Sequence, residues 1–201
     1  MKYDVIVVGG GASGLSCILT LVSSRSRGWA WAENRKYALF DTNGSDLYKA
    51  YLKNVPGVEP KTGSQLIEFI RKQIQEWGGA EFFQEKVSRI ERTEDGWKLS
   101  TELGKEYEAS FVVLATGFHS FDIEVKGADI QVVENPRSPK PGRIMIKHVD
   151  FEVAPNLFVT GTLAGLSSHF TSCAGSGVEV AAEILSRMAG KRIVIHDVPQ
   201  E

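Results

Sequence analysis

The chain has 201 residues, of which 42% are hydrophobic and 24% charged, and a formal net charge of −2. That is length for one sizeable core rather than two, and a charge balance with no general attraction to nucleic acid or to an anionic membrane. No apolar run approaches the roughly 18 residues of a membrane span, the first strand begins too early to leave room for a signal peptide, and Cys17 and Cys173 are too few for a disulfide framework, a C-x-x-C pair or a four-ligand zinc site, so the expectation is one cytoplasmic domain over residues 1–201.

Residues 3–8 (YDVIVV) read as a buried strand, continuous and β-branched, ended by three glycines. Residues 15–22 form an apolar segment without a breaker, read as a buried helix. The polar stretch 23–36 is expected to be an exposed return, and residues 37–40 (YALF) a second strand ending at Asp41. Strand, glycine turn, helix and strand in about 40 residues is the βαβ unit of a parallel sheet. Residues 41–60 are turn-rich. Residues 63–77 carry Leu66, Ile67, Ile70 and Ile74 at helical spacing and stop at Gly78-Gly79. Residues 82–92, 97–101 and 107–109 alternate as a small antiparallel meander. Residues 111–114 and 157–161 each repeat the pattern of a buried strand running into a small-residue turn. Between them, residues 135–142 (NPRSPKPG) read as a loop, and a last helix is expected from about Ala174 to Met188 with Gly190 as its stop. The fold class is α/β, a Rossmann-like domain with a central parallel sheet and a small meander.

Gly9, Gly11 and Gly14 match G-x-G-x-x-G between a strand and a helix. In that setting the first glycine permits the tight turn, the second lets a pyrophosphate reach the backbone, and the third lets helix and strand pack closely. The helix N-terminus adds free N–H groups and partial positive charge. Asp41 closes the second strand, where a carboxylate can accept ribose hydroxyls. It lies 27 residues after Gly14, farther than the usual spacing of about 20, and the 23–36 stretch accounts for the excess. The plain alternative is a glycine turn without a ligand.

Gly9–Gly14 with Asp41, then Leu114-Ala115-Thr116-Gly117, then Asn156-Leu157-Phe158-Val159-Thr160-Gly161, occur in the order seen in flavoproteins with two dinucleotide-binding domains. Within these the chain resembles the thioredoxin reductases. Lys53-Asn54-Val55-Pro56-Gly57 and the helix after it are similar to their segment beneath the flavin, and Ser172-Cys173-Ala174-Gly175-Ser176-Gly177 to the start of their last helix. The resemblance implies FAD. It places the ADP portion at Gly9, Gly11, Ala12, Ser13, Gly14, Asp41 and Thr42, and the adenine at the backbone of Lys86 and Val87. It carries Asn54, Ala115, Thr116, Gly117, Gly161 and Thr162 into the cofactor site. His169, Phe170 and Thr171, with Ser168, are implied to precede the last helix and line the pyrimidine side of the flavin. The helix N-terminus there would stabilise negative charge on reduced flavin by about 1–2 kcal/mol.

Three departures accompany the resemblance. Only 37 residues, 118–154, separate the Ala-Thr-Gly turn from the last strand, too few for the NAD(P)H domain that thioredoxin reductases insert there. The family's cysteine pair lies in that domain and nothing replaces it; Cys17 reads as a core filler. Cys173 sits where a helix N-terminus lowers a thiol's pKa, though packing alone is the favoured explanation. The family's Gly-Asp, whose Asp bonds the ribityl chain, is Gly161-Thr162 here. Cys173 and His169 are the weak catalytic candidates, with His119 behind them; His148 and His196 read as structural or exposed. Three functions compete: an FAD oxidoreductase fed by free NAD(P)H at an open flavin face or by a separate reductase or small redox partner; a non-catalytic FAD-binding subunit of a larger complex; and an NAD-binding protein. A homodimer is implied by the family's habit.

Overall fold

Along the first strand Val5 and Val7 point to one side and Ile6 and Val8 to the other, and all four are at most 5% exposed. A strand buried on both faces must be covered by a layer on each, which is why its sequence runs apolar without alternation. The computed structural model describes residues 1–59 and 61–195. Its strands and helices are, in order, β1 (Lys2–Val8), α1 (Ala12–Ser23), α2 (Ala30–Glu33), β2 (Tyr37–Phe40), β3 (Tyr51–Leu52), β4 (Lys61–Thr62), α3 (Gly63–Trp77), β5 (Ala80–Phe83), β6 (Val87–Thr93), β7 (Gly96–Thr101), β8 (Glu106–Leu114), β9 (Glu124–Lys126), β10 (Val132–Glu134), β11 (Ile144–Ile146), β12 (Glu152–Ala154), β13 (Leu157–Val159) and α4 (Phe170–Ala189).

The parallel sheet runs β5-β2-β1-β8-β13. β8 is long enough to divide its far edge: residues 106–109 pair antiparallel with β7, and residues 112–114 pair parallel with β13. The meander of β6, β7 and the first half of β8 therefore grows out of the main sheet, with β9 parallel on its outer edge. On one face Val5, Val7, Leu39 and Val113 pack against Leu15, Ile18 and Leu21 of α1, Ile67 and Ile74 of α3, and Ile184 and Leu185 of α4. On the other, Ile6, Val8, Phe40 and Val112 pack against Trp97, Leu99 and Tyr107 of the meander and Ile146 of β11.

The α/β class, the βαβ opening, α3 with its stop at Gly78, and the meander agree with the sequence reading. Three elements differ. Residues 82–83, expected to open the meander, lie instead in β5, the parallel edge strand of the main sheet, paired with β2 from Tyr37↔Ala80 to Phe40↔Phe83. A short, half-buried apolar strand looks the same in either pairing. α4 begins at Phe170, four residues earlier than expected, with His169 at its N-cap. None of the residues there caps the helix through its side chain, so the usual start signal is missing. The 23–36 stretch is not simply exposed: Ser24 and Ala32 are buried, and Arg35 pairs with Asp4 at 2.6 Å.

Candidate functional site

A cavity of about 510 Å³ opens at the C-terminal ends of β1, β2 and β8, where ligands bind in open parallel sheets. Its floor is the glycine turn. Gly9 has φ +113°, and a Cβ there would overlap the Ala115 carbonyl; a Cβ on Gly14 would overlap the Gly9 carbonyl. These two glycines hold turn, helix and neighbouring strand together. Gly11 is the N-cap of α1 and bears no capping side chain, so the first N–H groups of the helix are left for a ligand. Gly9, Gly11, Ala12 and Ser13 line the cavity, whereas Gly14 is buried behind it.

Asp41 and Thr42 line the same cavity. Asp41 is 9% exposed, and its carboxylate packs so close over Gly10 that a Cβ there would overlap it. Arg71 of α3 donates from Nη2 to Asp41 Oδ2 at 2.8 Å and to Asn43 Oδ1 at 3.1 Å, with its guanidinium over the Phe82 ring. Arg71 was not foreseen. It is 30 residues from Asp41 and differs in no sequence feature from other surface cations.

Glu85, Lys86 and Val87 form the end wall. The Lys86 carbonyl accepts the Glu102 N–H at 2.9 Å, and its ammonium pairs with Glu102 at the surface. Glu85, also unforeseen, has a side chain only 8% exposed and is bonded by Lys105 at 2.6 Å, Thr101 at 3.1 Å and the Tyr107 hydroxyl at 3.4 Å. The Lys105 hydrogen bond, followed by the Thr101 and Tyr107 contacts, outweighs burial and holds its carboxyl below the ordinary carboxylate value.

Ala115, Thr116 and Gly117 form the opposite lip, continued by Phe118 and His119. His119 Nε2 lies 2.6 Å from Asp46 Oδ2, and Nδ1 lies 2.6 Å from Arg143 Nη1. A guanidinium can only donate, so Nδ1 is the acceptor in its contact with Arg143. The ring ties two cavity-lining segments together, through an Asp46 that no sequence signal marked.

The last wall comes from the Gly161–Ala164 turn and the start of α4, with Thr162, Ser168, Phe170 and Cys173 in the lining. Ser176 fastens the turn to the helix: its Oγ accepts the Gly161 N–H at 2.9 Å and lies 2.7 Å from Thr160 Oγ1. Phe170 and Thr171 do not precede the helix but form its first turn. His169 and Thr171 are exposed and outside the lining, as is Asn54; Gly161 lies behind it, where a Cβ would crowd Ser13. Cys173 is 7% exposed and donates to the Ser167 carbonyl at 3.3 Å. Its thiol is not lowered. Burial pushes it up to about 11, against a smaller opposing pull from the Thr162 backbone. Cys17 is fully buried and its thiol is likewise raised by burial. His148 is structural, accepting the Phe151 N–H at Nδ1 and lying 3.0 Å from the Ala164 carbonyl; His196 lies outside the described residues. Among the described residues no cluster of metal-ligating side chains occurs, and no helix is long and apolar enough to cross a membrane.

Residues 3–154 match the Pyridine nucleotide-disulphide oxidoreductase family. A ferredoxin--NADP reductase from Bradyrhizobium sp. (strain ORS 278) is 29% identical over 126 residues, 60% of this chain and 35% of the relative. A thioredoxin reductase from Aquifex aeolicus is 29% identical over 118 residues, 57% of this chain and 34% of the relative. The chain thus spans about a third of the length of the curated relatives it matches. Among solved structures, a thioredoxin reductase from Gloeobacter violaceus superposes with a TM-score of 0.76 at 15% identity, covering 99% of each chain. At that identity the likeness establishes the thioredoxin-reductase-like fold and nothing finer.

Proposed function

The chain belongs to the pyridine nucleotide-disulphide oxidoreductase family, and from that premise we propose that it binds FAD and acts as a thioredoxin-reductase-like oxidoreductase that takes electrons from free NAD(P)H or from a partner reductase. The observation that carries the proposal is the convergence on one cavity of the glycine turn, Asp41, the Ala-Thr-Gly turn and the N-terminus of α4. Bound FAD would supply reversible one- and two-electron transfer. The chain's own part is to hold it. The open N-terminus of α1 would take the pyrophosphate, with Gly11 leaving room for it. Asp41 would accept from the adenosine ribose, and residues 85–87 would flank the adenine. Thr162 would offer a hydroxyl to the ribityl chain, and the first N–H groups of α4 would favour negative charge beside them. With Cys17 buried and the Cys173 thiol raised, neither cysteine is assigned a thiol–disulfide step. We extend the proposal to a homodimer, on the family's habit alone, and to the cytoplasm, on the sparse cysteines of the sequence.

The same cysteine chemistry favours one second reading, an FAD-binding subunit without turnover of its own. Loading the purified chain with FAD, desalting it and recording its visible spectrum anaerobically before and after NADPH or NADH separates the two. Bleaching of the flavin band within minutes is expected of the oxidoreductase. A yellow protein that stays yellow is expected of the subunit, and a colourless one that retains NAD would refute the flavin reading. Gly11→Val should abolish FAD retention, because the new side chain would fill the pyrophosphate approach and press on Ser45, whose Oγ already stands 3.0 Å from where a Cβ would lie. Full flavin occupancy in that variant would remove the site assignment.

A further inference from the structure

The residues between the Ala-Thr-Gly turn and β13 do more than connect. β10 and β11 pair as a hairpin from Val132↔Ile146 to Glu134↔Ile144, and the loop between them turns back onto the Gly161–Ala164 turn. Asn135 opens that loop and is only 2% exposed. Its Nδ2 donates to the Thr162 carbonyl at 3.1 Å, its Oδ1 accepts the Arg137 N–H at 2.9 Å, and its own N–H donates to the Arg143 carbonyl at 2.7 Å. Arg137 donates from Nη1 to the Gly165 carbonyl at 2.9 Å. A buried amide costs free energy unless it is bonded. Here both its groups are used, and one reads a single carbonyl on a cavity-lining residue. That carbonyl also accepts the Gly165 N–H at 3.0 Å, so it is fully committed away from any ligand. From the other flank Ser176 holds the Gly161 N–H. The turn is clamped on both sides, and the Thr162 hydroxyl is the side-chain polar group it leaves for the cavity.

We infer that Asn135 and Arg137 are positioning residues for the flavin end of the site, acting through the Thr162 and Gly165 carbonyls. The inference rests on the FAD reading. A neutral hydroxyl has no charge with which to compensate for misplacement, so a threonine at this position depends on its turn being held still.

FAD titration of the full chain, followed by quenching of flavin fluorescence, tests this in the wild type and in Asn135→Ala, Asn135→Asp and Arg137→Ala. Thermal melts without FAD and midpoint potentials of the loaded proteins are recorded beside it. Asn135→Asp is near-isosteric and still accepts the Arg137 N–H, but sets a carboxylate against the Thr162 carbonyl. It should raise Kd more than tenfold, and Asn135→Ala, which loses the bonds to both the Thr162 carbonyl and the Arg137 N–H, about tenfold. Arg137 is exposed, so Arg137→Ala should fold normally and raise Kd about threefold. The potentials should shift in the same order. A Kd within twofold of wild type together with an unshifted potential in Asn135→Asp and Arg137→Ala, whatever the melts do, would overturn the inference and leave a merely structural loop anchor. A wild type that takes up no FAD would instead sink the cofactor reading, and this inference with it.

Discussion

A carboxylate anchored through one hydrogen bond keeps most of its acceptor capacity while losing its freedom to turn. Arg71 holds Asp41 through Oδ2, so a ribose in this cavity would meet a side chain already fixed in place. The ion pair also offsets the cost of a charge only 9% exposed. Arg71→Ala should therefore weaken FAD binding by about tenfold, with Arg71→Lys intermediate because lysine keeps the charge but not the planar guanidinium that lies over the Phe82 ring. Unchanged FAD titrations in both variants would contradict this. Glu85 carries a pH dependence of known sign. Its carboxyl titrates lower in the folded chain than when unfolded, so its contribution to stability is fully present above the ordinary carboxylate value and is lost as pH falls through the folded value. Thermal melts between pH 5 and pH 3 should fall more steeply in the wild type than in Glu85→Gln. Parallel curves would show that the Lys105 and Thr101 bonds do not couple to folding.

Helices α1 and α4 pack with their backbones close together. Gly177 lets it happen: a Cβ there would overlap the Ser13 carbonyl and approach the Cys17 backbone at 3.1 Å. These are backbone atoms, which cannot swing aside as the end of a long side chain would. Gly177→Ala should push the helices apart and cost about 1–3 kcal/mol of stability, read as a lower Tm. Because Ser13 lines the cavity, FAD affinity should fall with it. A melt within error of wild type would mean that the helices part without cost. Ser176, the preceding residue, uses the same proximity to fasten the Thr160 hydroxyl and the Gly161 N–H, so one stretch of α4 sets both helix spacing and turn position.

For the molecule as a whole, the cavity walls come from the glycine turn, the residues after β2, the meander end, the residues after β8 and the last helix, and a ligand spanning them would add bonds between parts that are far apart in sequence. Anything that binds only the folded state stabilises it by mass action. FAD at a hundred times its Kd should add about 2.7 kcal/mol and raise the Tm by about 5–10 °C for a chain of this size. No shift under saturating FAD would argue against a site formed in the folded chain.

The sequence by itself determined the parts whose physics is local. Three glycines after a doubly buried strand, an aspartate at the end of the next strand and two further strand ends at small-residue turns mark the floor and lips of the cavity, because steric limits on φ and the packing of apolar runs act over a few residues. Tertiary structure decided the rest. Residues 80–83 joined the parallel sheet because pairing partners, not composition, choose a short strand's place. Arg71, Glu85, Asp46 and Asn135 gained their roles from partners 16 to 73 positions away, beyond the reach of periodicity or capping rules. Cys173 reversed the expected direction because the helix N-terminus acts on a charge weakly through a turn of backbone, whereas removing the thiol from water acts on it directly and more strongly.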